Sequence, residues 1–193
     1  IDNASSDEQA RILKEKFQNN ESFHFEILKE NIGFAGGINY ATRLYHADAY
    51  LVLNPDIRIN ASEIISLLKI LEKFQNVGAV SPILVNTLDE VEFSYTARRF
   101  PRIDSLICEL FFLHRLFPSN PWTRDYYYKD STFLDDYVFG RAIELSTPYE
   151  HRERPIVVDQ PAGACLLIRG DAMRESGGFD ERYYPAWFED VDF

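Results

Sequence analysis

Ala49-Tyr50-Leu51-Val52-Leu53-Asn54-Pro55-Asp56 is the stretch on which the reading of the fold turns. Its compact apolar run, without alternation, reads as a strand covered on both faces, the kind found in parallel sheets. Pro55 has no N–H to give to a ladder, so the strand ends at Asn54-Pro55-Asp56. Downstream, Asn60-Ala61-Ser62-Glu63 starts a helix with Ile64, Leu67, Leu68 and Leu71 on one face. Val77 to Val85 reads as the next strand. Upstream, Ser6-Asp7-Glu8-Gln9 fits a capping box ahead of Ala10, Ile12, Leu13 and Phe17 at helical spacing. Phe23 to Leu28 reads as a strand, and a glycine-bearing loop, Asn31 to Asn39, feeds a helix through Leu44. Pro155 to Arg169 forms a further pair of extended segments around Gly163. Strands alternating with helices predict an α/β fold, a Rossmann-like, mostly parallel sheet flanked by helices.

Composition narrows the function. The 193 residues are about one to one-and-a-half domains. Asp and Glu number 31 against 20 Lys and Arg, a net charge of −11. That balance argues against a general affinity for nucleic acid and against a simple electrostatic hold on anionic lipid. The chain is 46% hydrophobic and 26% charged, which is globular and not disordered. It contains no apolar run long enough to span a membrane as a helix. Cys108 and Cys165 cannot make a zinc cluster or a disulfide scaffold, so a reducing, cytoplasmic setting is expected. The four histidines show no metal-binding spacing. Ile1-Asp2-Asn3 has neither an initiator Met nor a signal-peptide pattern, and Phe193 follows directly on an acidic motif, so the chain reads as a fragment. Residues 93–139 hold 13 of the 28 aromatic residues, and their six basic and six acidic side chains cancel. The rest of the chain therefore carries the whole net charge, and this aromatic-rich segment reads as an insertion or a separate packing unit.

Ligands of open α/β sheets bind beyond the carboxyl ends of strands, and three motifs fall there. Asp2-Asn3-Ala4-Ser5-Ser6-Asp7 leads into the first helix, and helix capping alone accounts for it. Asn31-x-Gly33-Phe34-Ala35-Gly36-Gly37-x-Asn39 lets backbone approach a bulky ligand, and the following helix offers N–H groups to phosphate. A tight strand-to-helix turn explains it equally well. A dinucleotide fingerprint is a rival, since Asp56 lies 20 residues after Gly36, but Gly33-x-x-Gly36-Gly37 is not G-x-G-x-x-G. At Leu53-Asn54-Pro55-Asp56, a carboxylate just past a buried strand suits Mg²⁺ or Mn²⁺ with a diphosphate, or is simply an Asp in a turn. A fourth cluster runs from Gly177 to Asp192. Its five carboxylates (Asp180, Glu181, Glu189, Asp190, Asp192) are interleaved with Phe179, Tyr183, Tyr184, Trp187 and Phe188. Acids against aromatic walls can have their proton affinity set for general-base work.

In this order, with Gly163-Ala164, Gly178-Phe179-Asp180-Glu181 and Glu189-Asp190-Val191-Asp192, the motifs resemble the inverting family 2 glycosyltransferases, especially the rhamnosyltransferase-like branch. The match covers residues 1–85 and 156–193, with 93–139 matching loosely. The resemblance implies one GT-A domain over residues 1–193, incomplete at both ends. It implies a sugar, rhamnose-like or a hexose, moved from a nucleotide-diphosphate donor with inversion, in cell-surface polysaccharide synthesis. By analogy Asp2 contacts the nucleotide base, and Asn31, Gly33, Gly36, Gly37 and Asn39 line the donor site with Asn54, Gly163 and Ala164. Asp56 stands for the last acid of the D-x-D metal motif, whose first acid is here Asn54. Asp190 is the implied catalytic base, with Glu189 beside it. The family's opening strand is missing ahead of Asp2, and a sheet without its central strand leaves backbone groups unpaired, so the 193 residues alone should fold poorly.

Two other functions stay open: a nicotinamide-dependent oxidoreductase using the Gly33–Gly37 segment, and a non-catalytic sugar-binding homologue. Segment 93–139 suits the acceptor side. Ile103, Leu106, Ile107, Leu110, Leu113 and Phe117 fall at helical spacing near Arg98, Arg99, Arg102 and Arg115. That pattern fits a lipid-linked saccharide acceptor and peripheral contact with the inner face of the plasma membrane, or else a helix packed on the sheet. A saccharide acceptor without lipid is the other option.

Overall fold

The structure, a computed structural model, describes residues 1–17, 19–88, 92, 96–100, 102–117, 121, 126, 155–185 and 192–193. These form two compact units, Ile1–Tyr50 with Gly170–Phe193, and Leu51–Arg169.

In the first unit, helix α1 spans Asp7–Phe17. Ser6 starts it as the sequence predicts, its Oγ accepting from the Gln9 N–H at 3.5 Å. The predicted strand at Phe23–Leu28 is reduced to a single parallel bridge, Asp2 to Ile27. It is held by the Asp2 N–H on Glu26 O (2.7 Å) and the Leu28 N–H on Asp2 O (2.9 Å). Helix α2, Gly33–Leu44, begins two residues after Asn31. The glycine segment read as a loop is thus the first two turns of this helix. Helix α6, Gly170–Ser176, and a 3₁₀ turn, Glu181–Tyr183, complete the unit. Gly170 packs hard against the chain at Ala47 and Asp48: a Cβ there would lie 2.1 Å from Ala47 O. Ala10, Ala35, Met173 and Phe179 are buried, with the Phe179 ring edge-on to Phe34 and stacked on Phe193.

The second unit begins within strand β1, Ala49–Leu53, which ends before Pro55 as expected. Helix α3, Ala61–Lys73, starts where Glu63 accepts the Asn60 N–H at 2.7 Å. It buries Leu67 and Leu71 but leaves Leu68 exposed. Strand β2 is only Ala79–Val80, far shorter than the predicted Val77–Val85, and Pro82 closes it off two residues on. Then come β3, Ala97–Arg98, helices α4, Ile103–Leu110, and α5, Leu113–Leu116, and strands β4, Gln160–Pro161, and β5, Cys165–Arg169. The three-stranded sheet has the order β1-β5-β2, and β3 pairs with β4.

The expected mostly parallel sheet is not what the described pairs form. β5 runs antiparallel to β2, with Ala79 opposite Ile168 and Val80 opposite Leu167, and β3–β4 is antiparallel too. The reason lies in the connection. Parallel neighbours require a helical crossover of fixed hand, whereas residues 81–164, including β3, α4, α5 and β4, all intervene between β2 and β5. Such an excursion leaves strand direction free.

β5 lies between the other two strands of this sheet, and Cys165, Leu166, Leu167 and Ile168 are each at most 2% exposed. Burial, with Glu63 adding to it, pushes the Cys165 thiol up, so it is a packing residue and not a nucleophile. The strand ends at Arg169, whose Nε donates to Val77 O at 3.1 Å and whose Nη2 reaches Leu71 O and Phe74 O. A guanidinium thus caps the carbonyl end of α3, where a cation is also favoured by the helix dipole. Ile168→Ala should cost about 2–5 kcal/mol of unfolding free energy in urea titration, because neither the strand nor α3 can collapse into the void.

Candidate active site

Asp2 is 5% exposed. Its Oδ1 accepts the Ser5 N–H at 2.7 Å, while its Oδ2 is buried with no hydrogen-bond partner among the described residues. A buried acceptor without a donor is costly and calls for a ligand N–H or O–H. Next to it, Asn3 ties the start of the chain to α2. Its Nδ2 donates to Asn31 Oδ1 at 2.9 Å and to Gly33 O at 3.0 Å, and its Oδ1 accepts the Ile32 N–H at 2.9 Å. Asn31 Oδ1 also accepts the Gly33 N–H at 2.9 Å, and Pro185 O accepts the Phe34 N–H at 3.1 Å. The N–H groups of Ile32, Gly33 and Phe34, expected to be open to phosphate, are therefore spent inside the protein.

Gly33 has φ +79°, and a Cβ there would meet the Tyr184 ring at 2.9 Å and Pro185 O at 3.0 Å. Gly36 is buried against Ile32, and a Cβ on Gly37 would lie 4.0 Å from Asn3 Nδ2. Asn39 is 3% exposed and committed to the protein. Its Nδ2 donates to Phe179 O at 2.8 Å and to Glu181 Oε1 at 2.9 Å, and its Oδ1 accepts the Phe179 N–H at 2.9 Å. It joins the glycine-rich segment to the Gly178-Phe179-Asp180-Glu181 motif. Gly178, at φ +91°, is the residue this contact demands, since a Cβ would stand 2.4 Å from Asn39 Oδ1.

Glu181 takes a second bond from Arg43, 2.9 Å away. The Asn39 amide first, then Arg43, hold its carboxyl below the usual range. Asp180 is likewise held low, by the Arg182 side chain and backbone N–H. Asn3, Arg43 and Glu181 were not selected from the sequence as site residues. Nothing in linear order pairs Asn3 with Asn31, or Asn39 with residues 140 positions away.

In the second unit, Asn54 donates its N–H to Ala164 O at 2.9 Å, and the turn closes through the Ile57 N–H on Asn54 O at 3.1 Å. This brings Asn54, Asp56, Gly163 and Ala164 to the end of β1. Asp56 is exposed in the turn and Gly163 is buried. Among the described residues no group of three His, Cys, Asp or Glu side chains gathers to hold a metal. A lone exposed carboxylate suits the way Mg²⁺ binds, with phosphate and water completing its shell, and does not suit an all-protein cage. Glu189 and Asp190 lie outside the described residues.

Residues 1–140 match glycosyl transferase family 2, so the chain belongs to that family. Over 145 residues, 75% of this chain, it is 33% identical to the N-acetylglucosaminyl-diphospho-decaprenol L-rhamnosyltransferases of two Mycobacterium tuberculosis strains, CDC 1551 and H37Rv. It spans 39% of the length of these relatives. No solved structure matches the chain. The family match runs through the whole aromatic-rich segment, which the sequence motifs alone matched only loosely, and ends before the Gly178 and Glu189 motifs. Nothing in these comparisons favours the oxidoreductase reading.

Asn39→Ala should lower unfolding free energy by about 2–4 kcal/mol, since it orphans both buried backbone groups of Phe179. Urea titration of the variant beside Gly178→Ala should show both to be destabilised. Glu181 adds a pH dependence. Its folded-state pKa lies below the unfolded value of 4.5, so its stabilisation is present above that value and is lost as pH falls through the lower one. Unfolding titrations of Glu181→Gln should show a shallower acid-side loss than wild type, with the two curves converging at the lowest pH.

Proposed function

We propose that this chain carries the donor side of an inverting glycosyltransferase of GT-A type. In this reading residues 1–193 are one catalytic domain, and 93–139 contribute to the acceptor side. The transferred sugar is rhamnose or a hexose, carried on a nucleoside diphosphate. The acceptor is a saccharide linked to a lipid diphosphate, as the name of the mycobacterial relatives states for those proteins, and the pathway is cell-surface polysaccharide synthesis. An acceptor of that class is anchored in a bilayer, so the reaction belongs to the cytoplasm at the inner face of the plasma membrane. The observation that carries the reading is the buried Oδ2 of Asp2, without a partner among the described residues, beside the Asn3–Asn31 clamp in a chain that belongs to this family.

Asp2 accepts an N–H of the nucleotide base. Asn31, Gly33, Gly36 and Gly37 shape the wall on which the nucleotide lies, and Asn39 positions that wall against the Phe179–Glu181 motif. Asn54, Gly163 and Ala164 set the turn that presents Asp56, which would hold Mg²⁺ or Mn²⁺ against the diphosphate. A divalent ion there supplies neutralisation of the leaving group's charge. Asp190 takes the proton of the acceptor hydroxyl while the acceptor oxygen bonds to the anomeric carbon, and the bond from that carbon to the diphosphate oxygen breaks on the opposite face. One displacement inverts that centre. Glu189 orients the acceptor.

A thermal-shift panel of nucleotide sugars on the full-length protein, with and without Mn²⁺, tests donor binding; no shift with any donor would overturn the reading. Asp190→Asn should lower turnover by about 10²–10⁴-fold with donor affinity kept, the size typical of a lost general base. Asp56→Asn should abolish the response to added Mn²⁺, and wild-type turnover unchanged in EDTA would remove Asp56 from that role.

A further inference from the structure

Helix α4 is built inside out. The residues it buries are Ser105 and Cys108, a hydroxyl and a small thiol, while Ile103 is 79% and Leu110 71% exposed. Phe111 and Phe112 continue the outward apolar surface, and α5 adds Leu116, 71% exposed, and Phe117. A helix on a globular core turns its apolar stripe inward, and a contiguous apolar surface turned outward marks an interaction site. The expectation that these side chains pack on the sheet therefore fails for Ile103, Leu106, Ile107 and Leu110, all exposed.

The charges around this surface differ from those of the whole chain. Residues 96–117 carry Arg98, Arg99, Arg102 and Arg115 against Asp104 and Glu109, while the remaining residues hold 16 basic and 29 acidic side chains. The negative charge that opposes a hold on anionic lipid lies elsewhere in the sequence. Arg102 lies 3.2 Å from Asp104 with its side chain 71% exposed, and the Arg115 guanidinium stands 5.2 Å over the Phe112 ring. At the start of α4 a cavity of about 200 Å³ opens beside Arg99 and Arg102, with Ser105 and Tyr126 in its wall. Cations bordering apolar side chains are the pattern of helices that lie in a membrane interface. No described helix is long and apolar enough to cross a membrane.

We infer that the α4–α5 surface docks this protein on an anionic lipid bilayer. Ile103, Leu110, Phe111, Leu116 and Phe117 enter the boundary of the acyl chains, and Arg102 and Arg115 meet the lipid phosphates. The inference deepens the acceptor side of the proposed function and rests on it, because a lipid-diphosphate acceptor is presented at such a surface. The bilayer is the occupant that suits both halves of the patch, offering acyl chains to the apolar side chains and phosphates to the exposed guanidinium groups of Arg102 and Arg115.

The test is flotation of the full-length protein with vesicles of phosphatidylcholine alone and of phosphatidylcholine mixed with phosphatidylglycerol. Wild type should float with the mixed vesicles. Leu110→Glu combined with Leu116→Glu should lose more than about tenfold in partitioning, keeping its melting temperature and its affinity for nucleotide sugar. Arg102→Gln should weaken partitioning to the mixed vesicles by about fivefold and leave that to phosphatidylcholine unchanged. Wild type that does not float, or a double variant that floats equally, overturns the proposal. So does a wild-type dimer in sedimentation velocity that the double variant dissolves without any binding to vesicles. Flotation requires no catalysis: a protein that floats but binds no nucleotide sugar keeps this surface and loses the glycosyltransferase reading, and donor binding without flotation does the reverse.

Discussion

The side-chain amide of Asn39 replaces a backbone partner for Phe179, and the first unit is organised around that exchange. One amide meets both the N–H and the C=O of a residue 140 positions away. Each of those groups is buried, and burying either without a partner would cost more than a hydrogen bond ordinarily contributes. The contact explains its neighbours. Gly178 must lack a Cβ because the amide oxygen occupies that space. Glu181 is drawn to the same amide nitrogen and to Arg43, and Phe179 is left with its ring between Phe34 and Phe193. Two motifs that look independent in the sequence are halves of one joint.

The same economy governs the start of α2. Asn3, Asn31 and Pro185 together absorb the N–H groups of Ile32, Gly33 and Phe34. Helix N-termini favour anions because such groups are free; here they are not, and the glycines serve close packing against Tyr184, Pro185 and Ile32. What stays unsatisfied among the described residues is the acceptor Oδ2 of Asp2. The unmet hydrogen-bonding demand thus lies on a residue outside the glycine-rich segment.

Charge is partitioned along the chain with comparable clarity. The acidic excess and the apolar, arginine-bordered helices α4 and α5 occupy different stretches of sequence. A whole-chain charge of −11 says little about a local surface. Electrostatics acts over about a Debye length, so a patch of side chains a few ångströms apart responds to its own neighbours first.

Sequence alone determined what depends on neighbours within a few residues. The start of α1 at Ser6, the start of α3 after Asn60, the end of β1 before Pro55 and the order of the motifs all follow from caps, spacing and proline chemistry, and the motif order sufficed to indicate the family. Tertiary structure decided what depends on distant partners. Strand direction around β5 came from a connection that is no simple crossover, and the place of β5 between two strands came from pairings no local pattern records. Gly33 opens a helix and not a loop because Asn3, a distant residue, accepts and donates at its first turn. The apolar stripe of α4 was legible from its spacing, but which way it faced was not, since periodicity defines a face and only packing says what that face meets.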